Sequence, residues 1–230
     1  MMQVGSLQVE LLRKPIKHLH INVLPPVGAV RVSAPEQMSE TAIRMAIVKR
    51  IPWVKKQQDA FLQQPRESSR EVVTGETHYW WGKRLRLERI ERHGKHQLDV
   101  GHHRLRLCVS PNTSKANCQK VMDEAYRRSL KEKLPDLLAY WTQRLGVRVQ
   151  DVRIQRMRTK WGSCAIENQR VMLNLELAKK PVVCLEYVLV HELVHLLERK
   201  HSERFVALLN EHLPDWQERK ALLAAYPVSN

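Results

Sequence analysis

His191-Glu192-Leu193-Val194-His195, followed six residues later by His201, decides how the rest of the chain is read. Residues four apart on a helix share one face, about one turn apart, so the imidazoles at 191 and 195 can reach one metal ion. Glu192 sits beside the first imidazole and can lean over the same ion to handle a water proton. These are the mechanics of the H-E-x-x-H pattern: two zinc ligands and a general base. The preceding run, Leu185-Glu186-Tyr187-Val188-Leu189-Val190, is apolar enough for a buried helix, expected from Pro181 to about Arg199. His201 offers a third ligand and leaves the fourth position open, as a catalytic zinc site requires. The alternative is a surface helix with an i,i+4 histidine pair. Against it, a strongly apolar helix has little reason to bury two imidazoles and a carboxylate unless a dication compensates them.

Working outward, Arg156-Met157-Arg158-Thr159-Lys160-Trp161-Gly162-Ser163-Cys164 and Val171-Met172-Leu173-Asn174-Leu175 flank a turn at Glu167-Asn168-Gln169 and read as a hairpin. Gly162 marks a bulge or a close backbone approach. Val147 to Ile154 reads as a strand. Before it, Lys115 to Leu145 reads as one long helix stopped by Gly146. After His201, Ser202 caps a helix from Glu203 to Asn210, and Pro214-Asp215-Trp216 opens a last one ending near Ala225.

The first half is richer in strands. Alternation at His18–Val23 and Ala29–Ser33, around Pro25-Pro26-Val27-Gly28, predicts two strands and a turn. Ser39 caps a predicted helix from Glu40 to Gln63 that Pro52 should kink or divide. Short strands are expected at 71–76, 78–82, 84–90, 97–100 and 104–109. Residues 1–15 read as a loosely ordered lead-in, and Pro65 to Arg70 as a polar loop. The fold class expected is α+β. The division expected is a β-rich region with one helix at 1–112 and a catalytic region at 113–230.

Composition narrows the function. The 230 residues are 43% hydrophobic and 27% charged, with no apolar run near the roughly 20 residues of a membrane helix. The start has neither a basic n-region nor a long apolar core, so a cytoplasmic location is expected. Cys108, Cys118, Cys164 and Cys184 form no C-x-x-C pair, which argues against a zinc knuckle. The formal charge is +15. Residues 1–110 carry 19 Lys and Arg against 10 Asp and Glu, and residues 111–230 carry 20 against 14. An excess spread over both halves favours polyanions by counterion release, or is a basic, solvated surface. Arg84, Arg86, Arg104 and Arg106, near Tyr79, Trp80 and Trp81, fit a surface for single-stranded nucleic acid. They equally fit the charged outer face of a half-buried sheet.

The chain resembles the YgjP-like metallopeptidases, grouped with SprT-like and minigluzincin zinc peptidases. The features are the Arg156–Cys164 element, Leu173-Asn174, Pro181, Tyr187 to Leu196, His201-Ser202 with Phe205, and Leu213-Pro214-Asp215. Val30 to Pro35 and Gly75-Glu76 match the family's amino-terminal half. The resemblance implies a zincin-like helical catalytic core behind a β-rich part. It implies Zn2+ held by His191, His195 and His201, with Glu192 as the catalytic carboxylate. It also implies a protein or peptide substrate, with DNA-associated proteins as the target in SprT-like relatives. Glu186, Lys200 and Val206 depart from the family's usual Asp, Asn and aromatic residue.

The chemistry expected is metal-assisted hydrolysis of a peptide bond with Glu192 as general base. Tyr187, Arg158 and Lys160 are candidate oxyanion donors, though Tyr187 also reads as core. Glu198 is a candidate to orient a ligand from behind, or a solvated helix-end charge. Trp161 and Cys164 read as packing under the metal helix. A rival reading is a nucleic-acid-binding module whose zinc is structural or vestigial.

Overall fold

The computed structural model of the chain describes residues 1–24, 28–63 and 71–226, without the side chains of 60–63. The polar loop expected at 65–70 and most of the turn expected at 25–28 lie outside the described residues. The architecture is α+β, as expected, and the chain forms two compact units, 1–66 and 67–229.

In the first unit, strands β1 (Met2–Val4), β2 (Leu7–Lys14), β3 (His20–Leu24) and β4 (Ala29–Pro35) form one sheet in the order β1-β2-β4-β3. The middle pair is parallel and the outer pairs antiparallel. The expected lead-in is therefore corrected. Met2, Val4, Leu7 and Val9 alternate into the core across a turn at Gly5-Ser6. Helix α1 (Glu40–Gln63) covers the inner face with Ile43, Ile47 and Val54 and passes unbroken through Pro52.

The second unit begins with β5 (Thr77–Trp80), β6 (Lys83–Glu91), β7 (Gln97–Val100) and β8 (Arg104–Val109), in the order β5-β6-β8-β7. Helix α2 (Lys115–Leu145) follows, capped by Ser114 and stopped by left-handed Gly146. Residues 71–76 are not the expected strand. Val72 is left-handed at φ 59°, and Glu76 folds back to accept from the Glu71 and Val72 N–H groups.

These strands and α2 share one hydrophobic core with everything that follows. It runs from Val72 and Leu85 through Tyr126 and Leu189 to Leu223. The division expected at 112/113 is thus displaced to 66/67, because β5–β8 have no core apart from the helices. Strands β9 (Asp151–Gln155), β10 (Gly162–Ala165) and β11 (Arg170–Asn174) form a three-stranded sheet in the order β10-β11-β9. A 3-10 turn at Leu175–Lys179 leads into α3 (Val182–Val194), then α4 (Glu203–His212) and α5 (Trp216–Ala225).

The two units repeat one design that the sequence reading did not find. Both sheets have the same order and the same parallel middle pair, and each is followed by its helix. From β4 into α1 the residues match those from β8 into α2 at a constant offset of 75. Buried Val30, Val32, Ile43 and Ile47 correspond to buried Leu105, Leu107, Cys118 and Met122. Ser39 Oγ accepts from Ala42 N, and Ser114 Oγ accepts from Asn117 N. Glu10 faces Arg31 across the parallel pair and forms an ion pair, and Glu88 and Arg106 repeat this.

Candidate metal centre

Helix α3 is the buried axis of the second unit. Leu185, Leu189, Val190 and Leu193 are fully enclosed, and Glu186 fastens it at both sides. One Glu186 oxygen accepts from Trp141 Nε1 of α2 at 3.0 Å, and the other pairs with Arg219 of α5. Glu186, one of the three departures from the family pattern, therefore works at a helix junction, away from the histidines. The helix ends at His195, earlier than the expected Arg199, and the chain turns so that residue 201 comes back over the last turn.

That early stop brings the three histidines together. His191, His195 and His201 each offer a ring nitrogen, and the three lie within 4.8 Å of one another. The Nε2 atoms of His191 and His201 are 3.0 Å apart. Two nitrogens bound tetrahedrally at about 2.0–2.1 Å would stand roughly 3.3 Å apart. His195 Nδ1 donates to the Glu198 carbonyl at 3.2 Å, which fixes the tautomer and turns the Nε2 lone pair toward its companions. The expected contribution of Glu198 thus comes from its main chain, while its carboxylate accepts from Lys200 N. Burial, with His195, His201 and Lys220 nearby, pushes His191 down to about 4, and burial also lowers His195. Both rings are neutral donors at pH 7, which is the state a metal requires. The set fits a divalent cation on donor chemistry and convergence alike.

Phe205 makes the floor. Its ring centroid lies 4.9, 4.8 and 4.7 Å from those of His191, His195 and His201. Ser202 Oγ accepts from Phe205 N, so the cap that starts α4 also sets this ring in its first turn. Sequence reasoning assigned Phe205 no role at the site. The hydrophobic residue three beyond the cap was the available signal.

Strand β10 makes the wall. Asn174 holds the segment leading into it. Its Nδ2 donates to the Met157 and Lys160 carbonyls at 2.9 and 2.7 Å, and its Oδ1 accepts from Met157 N at 3.3 Å. At Gly162 the wall touches Glu192. A Cβ there would lie 2.7 Å from both Glu192 Cγ and Oε1, so only glycine lets the carboxylate lie flat on the strand. The close approach expected at Gly162 is present. Glu192 is only 6% exposed, and burial pushes its carboxyl up to about 7 against the lowering pull of Lys160.

The cleft between wall and helix has a volume of about 360 Å³, with Lys160, Cys164, Glu167 and Arg199 beside the histidines and Glu192. Arg199 and Glu167 reach toward each other across it at 3.7 Å. Lys160 is therefore in the cleft, whereas Arg158 is not among its lining residues. Tyr187 is buried, edge-on to His191 and stacked on Trp216, so it packs as core. Trp161 and Cys164 are both partly buried against the core, as expected, and the cleft is also lined by Cys164. Burial, with Glu192 and Glu167 nearby, pushes its thiol up to about 11, so it is no nucleophile at neutral pH.

Among solved structures, the metallopeptidase zymogen abylysin of Pyrococcus abyssi shares 23% identity, covering 39% of this chain and 90% of that one, with a TM-score of 0.33. No curated protein matches the chain. The family model for the YgjP-like metallopeptidase domain matches residues 17–226, nearly the whole chain, and the chain belongs to the YgjP-like metallopeptidase family.

Proposed function

We propose that the chain is a zinc-dependent peptidase in which His191, His195 and His201 hold the ion and Glu192 is the general base. The observation that carries this reading is the convergence of three imidazole nitrogens within 4.8 Å, beside a buried carboxylate in an open cleft. Zinc, when bound, supplies a Lewis acid that eases deprotonation of water and polarises the scissile carbonyl. Glu192, with its carboxyl raised to about 7, takes the proton of the attacking water and later gives it to the departing amine. Lys160 carries a positive charge into the same cleft and is the candidate to steady the developing oxyanion. Among the described residues β10 pairs only with β11, so its other edge is free to bind an extended peptide by strand addition.

The finer parts of the reading rest on composition. The charge of +15 supports substrates that are proteins associated with nucleic acid. Four unpaired cysteines support a cytosolic location, and among the described residues no helix is long and apolar enough to cross a membrane. Against a purely structural zinc, the group numbers three among the described residues, whereas structural sites close with four ligands.

The test is metal content and peptide cleavage measured together. Wild type is expected to carry about one zinc per chain and His195→Ala almost none. Glu192→Gln should keep the zinc and lose about 10²–10⁴-fold in kcat. Wild type with no more zinc than His195→Ala would overturn the ligand assignment. Undiminished cleavage by Glu192→Gln would overturn the base.

A further inference from the structure

We propose that the outer face of the β5–β8 sheet docks the sugar–phosphate backbone of nucleic acid through Arg84, Arg86, Arg104 and Arg106. Inward, this sheet points Leu85, Leu87, Leu105 and Leu107 into the core; outward, it points the four arginines, all exposed. Arg86 stands directly opposite Arg104 on the parallel neighbour, and like charges so placed work against the sheet. Two carboxylates share the face. Glu88 lies 3.7 Å from Arg104 and 3.5 Å from Arg106, and Asp99 stands opposite Arg106. Arg84 and Arg86 have no ion-pair partner among the described residues.

The first unit supplies an internal control. Its sheet has the same order and keeps the Glu10–Arg31 ion pair at 2.7 Å. Counting along the paired strands, the places of Arg86 and Arg104 are taken there by Gln8 and Ala29, while that of Arg84 falls on Ser6 in the turn before β2. The glutamate–arginine pair is thus common to both sheets, whereas the other three arginines belong to the second sheet alone. Their common property is a planar fork that binds phosphate oxygens two at a time. Alternate residues on a strand are spaced by about 6.6–6.8 Å, so the two arginine pairs make a row of cationic forks along the sheet. Tyr79 is the aromatic on this face, and its ring is engaged edge-on by Tyr226. With four arginines and, among the described strand residues, one ring already in contact, the face suits a grip on backbone over stacking of bases. This gives a place to the nucleic-acid part of the reading above and is independent of the peptidase part, because it is read as binding.

The test uses the full chain and a labelled short duplex, with the corresponding single strand as a second probe, between about 50 and 200 mM salt. The variant Arg84→Ser/Arg86→Gln/Arg104→Ala installs the first unit's own residues. Its binding should fall by roughly tenfold or more. Its log K against log salt should flatten by about 2.7 on the duplex or about 2.1 on the single strand, three phosphates' worth. Lys120→Ala/Lys131→Ala/Arg148→Ala removes the same charge from exposed positions elsewhere and should keep the wild-type slope. The proposal is overturned if the arginine variant keeps the wild-type slope, or if both variants lose equally. It is also overturned if wild type binds neither probe, or if only binding to polyglutamate is lost. Zinc content and Glu192→Gln cleavage stay separate readouts, so failure here and failure of the peptidase reading are distinguishable.

Discussion

At position 48 of α1 a valine stands 52% exposed, and at the equivalent position of α2, Asp123 holds Arg156 at 2.8 Å. Arg156 also pairs with Glu176 at 2.5 Å, so the second helix is tied through that residue to β9 and the 3-10 turn. Further along, α2 continues for 31 residues against 24 in α1, and its extra turns carry Trp141 and Leu145 into the shared core. Trp141 reaches Glu186 on α3. One repeated sheet-and-helix design thus serves two ends. In the first unit it closes on itself. In the second its helix is lengthened and recharged until it becomes the support for the histidines.

That contrast can be broken at matched positions. Tyr126 and Ile51 correspond at the offset of 75. Tyr126 is enclosed, donates to the Tyr79 carbonyl and stacks on Trp80, whereas Ile51 is half-buried. Tyr126→Ala should cost about 3–5 kcal/mol and take zinc retention with it. Ile51→Ala should cost less than about 2 kcal/mol and leave zinc uptake intact. Urea melts with parallel metal analysis would decide; equal zinc loss in both would mean that the first unit also supports the site. The caps give a smaller effect. Ser114→Ala and Ser39→Ala should each cost about 1 kcal/mol, felt in hydrogen exchange only within the unit that holds the cap.

The smallest effect is expected in acid. Burial raises the Glu76 carboxyl, but the Glu71 and Val72 N–H groups and His78 outweigh it and hold the pKa below the ordinary value. A lowered folded pKa stabilises above the unfolded value of about 4.3 and is lost as the pH falls through the folded one. Strand β1, Met2-Gln3-Val4, has no acid to do the same. The second unit should therefore show an acid-sensitive component that Glu76→Gln removes, and the first should not change.

Much of this was legible in the sequence because it is local. Lys115 to Leu145 was readable as one helix ended by Gly146, and the structure keeps those bounds. Two histidines four apart on an apolar helix had to share a face, and the structure brings the third ring to them. What was hidden depends on partners distant in sequence. Strand β1 is three residues long, too short to show alternation. The repeat left few identities to find, because Val became Leu and Ile became Cys or Met wherever only burial mattered. Glu198 acts through a carbonyl, which no side-chain pattern reports. Phe205 and the Glu192 contact at Gly162 exist only after α4 and β10 have been brought against α3.

The contact at Gly162 has a mechanical consequence. Glu192 rests directly on peptide backbone, with not even a methyl between them, so the strand acts as a stop that sets the height of this carboxylate. A guest chain that pairs with that strand and draws it by a few tenths of an ångström would move the stop and the acid together. Seating the guest and aligning the acid would then be one motion.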